Sequence, residues 1–385
     1  MQPELYTDAS IYAKSFPHFG RPKVIGYIGL ENLKFAKSIR DKRVQFDLNL
    51  HLDKCIHRPP DLDVKITELL RFLLENEKKL QLPPETSLKE AIFFCYRGLM
   101  TSVALTPYEN KDPWRIVVLL HKGNIYLCAR DTKESIQRKQ NMTEHEKKCS
   151  SWGYKFEQFL LSDKPHLDPN PDKPVNENEE FSLVFTTKLN GHTIIYGAEM
   201  DGINCDVSHL GTPPSLEAST DVVINYLSNA PFIELKTSKH IQFSRQETSF
   251  RRFKTKKWWC QSFLAGIDTI LCGYRDDEGI VDELKTFQLR DLVKMSERFW
   301  RPNVCFNFLN DFFTYVKRCL AREIKHKYGE NSLNDLQSLP MITLILEWRP
   351  GNPVRVTGTY NNDDDPILPD WFCESFGKHN MDTIK

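Results

Sequence analysis

Apolar and polar positions follow two rhythms along this chain, and the rhythms divide it into elements. Ile66, Leu69, Leu70, Leu73 and Leu74 recur at the spacing of one helical face, which predicts a helix over 63–80 stopped by Pro83-Pro84. A second helix is expected from about Ser87 to Ser102, carrying Phe93-Phe94-Cys95-Tyr96-Arg97-Gly98. Two short apolar runs, Trp114–Leu120 and Asn124–Ala129, flank His121-Lys122-Gly123 and read as a hairpin. Phe181–Leu189 and His192–Asp201 give the same reading around Asn190-Gly191. A helical pattern over 134–161, with a break expected near Ser150, leads into a polar, proline-bearing loop over 162–180. Phe232–Lys236, Thr269–Tyr274 and 341–348 read as strands, and Phe250–Gly266 and about 303–327 as helices. Residues 1–60 show neither rhythm. They are expected to be irregular, with 1–25 an arm laid over a single domain spanning 26–385.

The mixture predicts an α/β (α+β) domain of mixed β-sheets flanked by helices. A length of 385 residues permits two or three domains, but no linker, repeat or heptad array divides the chain. Lys and Arg total 52 and so do Asp and Glu, so the net charge is zero and any attraction to nucleic acid must come from local clustering. The longest apolar runs, such as Ile116–Leu120, are far too short to span a bilayer, so no membrane partner is expected. Met1–Phe16 has no apolar core of signal-peptide length. None of the ten cysteines forms a CxxC pair, which excludes zinc-ribbon spacing and favours reduced thiols. The expectation is a soluble, monomeric, nuclear or cytoplasmic chain.

Candidate chemistry lies in two strand-like segments. Gly197-Ala198-Glu199-Met200-Asp201 and Ile233-Glu234-Leu235-Lys236 each place two ionisable residues two apart, on one face of an extended strand. Each pair alone is commonplace: a solvated strand face, or an ion pair worth at most about 1 kcal/mol. Three carboxylates and an ammonium converging between neighbouring strands suit phosphodiester or pyrophosphate hydrolysis, where two Mg²⁺ or Mn²⁺ ions roughly 4 Å apart stabilise the attacking and leaving oxygens. Glu199, Asp201 and Glu234 are hard oxygen donors for such ions, and the Leu235 carbonyl adds another. Lys236 is placed to hold or deprotonate the attacking water. Glu157, on the helix before these strands, is a fourth candidate ligand. Gln261 follows on a later helix, sharing one side with Lys254 and Lys257, and Arg251, Arg252 and Lys256 add positive charge that could run along an RNA backbone. Trp258, Trp259 and Phe263 read as core, and His145, His192 and His240 lack metal-ligand spacing. The order helix Glu, strand Glu-x-Asp, strand Glu-x-Lys, helix Gln matches the restriction-endonuclease-like, PD-(D/E)XK nuclease core.

The words around these residues are more specific than the acids. Tyr96-Arg97-Gly98, Leu105-Thr106-Pro107-Tyr108-Glu109, Gly153-Tyr154-Lys155-Phe156-Glu157, Gly197–Asp201, Glu234-Leu235-Lys236-Thr237-Ser238, Trp258–Leu264 and Glu347-Trp348-Arg349-Pro350-Gly351 occur in this order. Together they resemble the DXO-type decapping exoribonucleases, the animal branch more than the fungal one, from about residue 20 to about 375. The resemblance implies that Glu157, Glu199, Asp201 and Glu234 ligate two divalent cations directly or through water. It also implies that Lys236 and Gln261 contact the reacting phosphate or its water, and that Arg97 contacts an RNA phosphate. The implied substrates are RNAs with modified or incomplete 5′ ends. The implied activities are removal of incomplete, unmethylated or nicotinamide-dinucleotide caps, pyrophosphate release from 5′-triphosphates, and 5′→3′ degradation. A nuclear 5′→3′ exonuclease is a possible partner, since fungal relatives associate with one. Two rivals stand beside this: an RNA-binding scaffold that stimulates a partner exonuclease, and a DNA endonuclease on the same core.

Overall fold

The structure, a computed structural model, describes residues 3–37, 40–59, 65–80, 87–205 and 211–376. Two mixed sheets form its frame. The larger runs in the order β1 (Lys23–Ile28), β8 (Ser182–Leu189), β9 (His192–Glu199), β4 (Phe93–Tyr96), β6 (Asn124–Arg130), β5 (Trp114–His121), β14 (Ile342–Trp348) and β15 (Arg355–Gly358). The smaller runs β3 (Lys42–Asp47), β13 (Ile280–Gln288), β12 (Thr269–Arg275), β11 (Phe232–Lys239), β10 (Gly202–Asn204), β2 (Phe35–Ala36) and β7 (Leu161–Ser162). The helices are α1 (Thr67–Glu75), α2 (Glu77–Leu80), α3 (Arg97–Leu105), α4 (Lys133–Gln140), α5 (Glu144–Leu160), α6 (Thr220–Asn229), α7 (Ser244–Ser249), α8 (Thr255–Leu264, entered through a π-turn at Phe250–Lys254), α9 (Leu289–Ser296), α10 (Pro302–Tyr328) and α11 (Asp370–Ser375). Among the described residues no helix is long and apolar enough to cross a membrane.

The larger sheet is buried on both faces. Ile116, Val118 and Leu120 of β5 join one core with α3, α8 and α10, while Val117 and Leu119 join another with α1 and α11. A strand covered on both sides is apolar at every position. This explains the first departure from expectation. Phe93-Phe94-Cys95 is not helical; it is β4, parallel to β6 and β9, with all three side chains buried. The helix starts at Arg97, one residue past the strand.

Both expected hairpins are present. Lys122 and Gly123 take positive φ between β5 and β6, and Asn190 does so between β8 and β9. The break in the 134–161 helix falls at Asn141–Thr143, not at Ser150, because Thr143 and Glu146 form a capping box that starts α5 afresh. The expectation for residues 1–60 needs correcting. Residues 3–22 do run over the body, pinned where Asn303 and Asn307 of α10 donate to the Lys14 and Tyr12 carbonyls. But β1 starts at Lys23, so a boundary at 25 cuts a strand, and β1, β2 and β3 each join a sheet. Pro83-Pro84 lies outside the described residues.

Candidate active site

Four carboxylates meet where the chain passes from one sheet to the other. β9 ends at Glu199 in the larger sheet, and β10 begins at Gly202 in the smaller. Met200 and Asp201 make the crossing. The Met200 N–H still bonds the Phe181 carbonyl at 2.9 Å, so the extended geometry continues and Met200 is buried. Glu199, Met200 and Asp201 all line one cleft of about 440 Å³. Asp201 is therefore not on the strand that carries Glu199, yet both carboxylates reach the same cleft. β10 then pairs antiparallel with β11, Gly202 opposite Ile233. This sets Glu234 beside Asp201.

α5 supplies the next layer. Trp152, Phe156 and Leu160 pack onto the smaller sheet, and Glu157 lines the cleft with Glu199 and Asp201. The approach is close: a Cβ on Gly273 of β12 would sit 2.3 Å from Phe156 Cε2, and one on Gly202 would sit 2.6 Å from Leu161 Cδ2. Glycine at these two positions lets the helix carrying Glu157 reach the sheet carrying Glu234.

The polar contacts are specific. Lys236 Nζ donates to Glu234 Oε1 at 2.6 Å, and Arg97 Nη1 donates to Glu234 Oε2 at 3.4 Å. Glu234 is 1% exposed, so its charge depends on these two cations. The Leu235 N–H donates to Asp201 Oδ2 at 2.6 Å. A strand residue's N–H and C=O leave from the same edge. The Leu235 carbonyl therefore faces the Asp201 side, where the β10 pairing reaches only Phe232 and Ile233.

Electrostatics separate the acids. Burial pushes the Glu157 carboxyl well above its usual range, and the Asp201 and Glu199 charges push it further. Burial, then Glu180 and Asp201, raise Glu199 from 4.5 to about 7. Glu199 remains solvent-accessible, but it lies in a concave floor where surrounding protein removes part of its hydration. Burial and then Glu234 raise Asp201 from 3.8 to about 6. Burial also acts against the Glu234 charge, but Lys236 and Arg97 together outweigh it and bring its carboxyl below the ordinary value. Burial opposes the Lys236 charge too, and Glu234 and Asp201 outweigh it, so Lys236 holds its proton more tightly than a free lysine. This favours a proton donor at Nζ over the expected base.

Four carboxylates face two cations here, leaving two negative charges uncompensated at neutral pH once all are ionised. Clustered oxygen donors whose pKa values are raised by mutual repulsion fit hard divalent cations, which would relieve that repulsion.

The remaining expected residues are placed less tightly. Lys254 Nζ donates to Ser238 Oγ at 3.0 Å, and Ser238 lies on the same face of β11 as Glu234 and Lys236 by strand alternation. Lys257 is exposed and Gln261 half-buried, one and two turns further along that side of α8. The rest of the basic run is divided. Arg251 pairs with Glu247, Arg252 lies over Phe253, and Lys256 is buried, donating to the Tyr108 carbonyl at 2.7 Å. Lys256 is thus a structural cation, not part of a basic surface. Trp258 and Trp259 are core, and Phe263 packs partly buried against it. Sequence reasoning missed Arg58. It pairs with Glu180, donates to the Glu177 carbonyl at 3.1 Å, and sits within the field of Glu199 and Tyr154. Sequence reasoning gave no role to Glu180 or Tyr154 either; burial, and then the Glu199 charge, raise the Tyr154 hydroxyl to about 12. No spacing in the chain links Arg58 to residues 120 positions away.

A family model described as "RAI1 like PD-(D/E)XK nuclease" matches residues 23–373. The chain belongs to the RAI1-like PD-(D/E)XK nuclease family. It is 29% identical over 392 residues to the decapping and exoribonuclease protein of Xenopus laevis, covering 96% of this chain and 90% of that one. Its fold is that of Candida albicans Rai1, solved in complex with pU5-Mn²⁺ (TM-score 0.73, 18% identity, 97% of this chain and 98% of the other). It is also that of Scheffersomyces stipitis Rai1, solved with (3′-NADP)⁺ and calcium (TM-score 0.70, 18% identity, 96% and 97%).

Proposed function

We propose that the chain is a divalent-metal-dependent hydrolase of RNA 5′ ends. In this reading it removes incomplete, unmethylated or nicotinamide-dinucleotide caps, releases pyrophosphate from 5′-triphosphates, and degrades RNA from the 5′ end. The observation that carries the reading is the convergence of Glu157, Glu199 and Asp201, which line one cleft, with the buried Glu234–Lys236–Arg97 group beside Asp201, in a chain belonging to this nuclease family. Glu157, Glu199, Asp201, Glu234 and the Leu235 carbonyl would hold Mg²⁺ or Mn²⁺, which supply Lewis-acid stabilisation of the phosphate and of the leaving oxygen. Lys236, kept protonated by Glu234 and Asp201, donates from Nζ to a phosphate oxygen or to the attacking water and fixes its line of approach. Arg97, mostly buried, offers its remaining guanidinium N–H groups to a neighbouring phosphate. Lys254, at the end of the π-turn, and Lys257 and Gln261 of α8 follow one another at helical spacing and would guide the strand that follows. One centre serves several activities if the 5′ end enters first, because the register of the phosphates decides which bond breaks.

The test is a panel of triphosphate, monophosphate, hydroxyl, unmethylated-cap and dinucleotide-capped RNAs, with single-stranded and duplex DNA. Each is incubated with manganese and with chelator, using wild type and the Asp201→Ala/Glu234→Ala double variant. The reading expects metal-dependent product from RNA in wild type alone. Product formation by the double variant at the wild-type rate would overturn the site, and a preference for duplex DNA would overturn the substrate class.

A further inference from the structure

A second constellation lies beside the wall of this cleft, built from softer donors. Cys55 Sγ lies 3.7 Å from Glu177 Oε1, and His57 Nδ1 lies 3.0 Å from the same oxygen. One donor atom from each of the three residues falls within 4.8 Å of the others. A tetrahedral zinc ion, with Zn–S of ~2.3 Å and Zn–N and Zn–O of ~2.0 Å, spaces its ligands by ~3.5 Å for S···O and ~3.3 Å for N···O. The observed separations bracket those edges.

The backbone holds the trio in place without help from an ion. The Ile56 N–H donates to the Val175 carbonyl at 2.8 Å, and the Glu177 N–H donates to the Ile56 carbonyl at 3.0 Å. Ser151 Oγ donates to Glu177 Oε1 at 3.2 Å, and the Arg58 N–H donates to Oε2 at 3.2 Å. Such partners orient a ligand carboxylate. The Glu177 side chain is 13% exposed and that of His57 61%, so the trio opens to solvent on one side, leaving an entry path and room for a fourth, water ligand. A thiolate and a carboxylate together neutralise a 2+ ion. A thiolate also selects zinc over Mg²⁺, which sets this cluster apart from the all-oxygen cleft.

We propose that Cys55, His57 and Glu177 form a zinc site that staples the 55–58 segment to the 175–180 wall of the cleft and so positions Arg58. On binding, the Cys55 S–H bond breaks, its proton leaves to solvent, and the S–Zn bond forms, with no change of oxidation state. This proposal does not depend on the reaction assigned to the neighbouring acids.

The test uses the full chain, stripped of metal and then held in excess Mg²⁺. It is titrated with Co²⁺ as a spectroscopic probe and afterwards with Zn²⁺. The proposal expects one equivalent of cobalt giving a thiolate-to-cobalt charge-transfer band and tetrahedral visible bands, both displaced by zinc. The charge-transfer band is lost in Cys55→Ser, and affinity falls at least tenfold in His57→Ala, an exposed position whose change leaves the fold intact. Absence of the band in wild type, or a band unchanged in Cys55→Ser, overturns it. So does zinc binding that disappears in Asp201→Asn but persists in Cys55→Ser.

Discussion

Asp201→Asn and Glu234→Gln remove one negative charge each from the same cluster, yet they are expected to change the stability of the metal-free protein in opposite directions. The Asp201 carboxyl rises from 3.8 to about 6 in the fold. A raised carboxylate pKa means that the folded state binds its proton more tightly than the unfolded state, so the ionised group opposes folding. The cost is full above about pH 6 and gone below about pH 3.8, where both states are protonated. About two pH units at ~1.4 kcal/mol each give ~3 kcal/mol. Asp201 is only half-buried, and solvent screening roughly halves that to ~1–2 kcal/mol. Asparagine keeps an acceptor for the Leu235 N–H, so Asp201→Asn should stabilise the metal-free chain by that amount at pH 7.5. Glu234 is held below its ordinary value by Lys236 and Arg97 and is 1% exposed. Removing its charge strands two cations. A broken buried pair costs ~3–5 kcal/mol, reduced to about 2 kcal/mol here because Asp201 still faces Lys236. Denaturant unfolding of the chelator-treated proteins measures both changes. In both variants the stabilisation by saturating Mn²⁺, about 2.7 kcal/mol at a hundredfold excess over Kd, should largely vanish. Two destabilised variants, or an Asp201→Asn protein that keeps its full response to Mn²⁺, would refute the charge assignment.

Other outcomes follow from the same geometry. Because Glu199 and Asp201 take up protons near pH 7 and 6, protons compete with the metal. Mn²⁺-induced thermal stabilisation should be greatest near pH 8 and shrink steadily toward pH 5.5, while the metal-free chain grows more stable over the same fall. Gly273→Ala places a methyl 2.3 Å from Phe156, which is itself 1% exposed. Overpacking should cost ~1–3 kcal/mol in urea unfolding, and displacement of Glu157 should weaken Mn²⁺ binding by calorimetry. Lys257→Ala should weaken binding of single-stranded RNA and lower the magnitude of the log–log salt slope by about 0.7, without changing the metal response. Lys236→Met should cost ~10²–10⁴ in turnover with RNA affinity largely retained, measured by single-turnover kinetics and filter binding.

Much of this was legible in the chain because its cues are local. Asn190-Gly191 and Lys122-Gly123 specify their hairpins by backbone conformation alone, and period-two spacing correctly set Glu234 and Lys236 side by side. Cues failed where burial erased periodicity or where pairing was distant. Phe93-Phe94-Cys95 is apolar at every position because both faces of β4 are covered, so no rhythm distinguishes it from a helix. β3, Lys42–Asp47, is a strand of alternating exposure whose partner β13 lies more than 230 residues on. Asp201 was assigned to the right cluster, although the strand ends at Glu199 and the chain changes sheets between them. Arg58 and the Cys55–His57–Glu177 trio depend on contacts across 120 residues, which single-sequence spacing does not record.

The most direct measurement is anomalous diffraction at the manganese edge from crystals soaked in Mn²⁺. The account predicts manganese peaks inside the cleft, ligated among Glu157, Glu199, Asp201, Glu234 and the Leu235 carbonyl and absent in Asp201→Asn. Manganese elsewhere, with these side chains turned apart or unliganded, would contradict it.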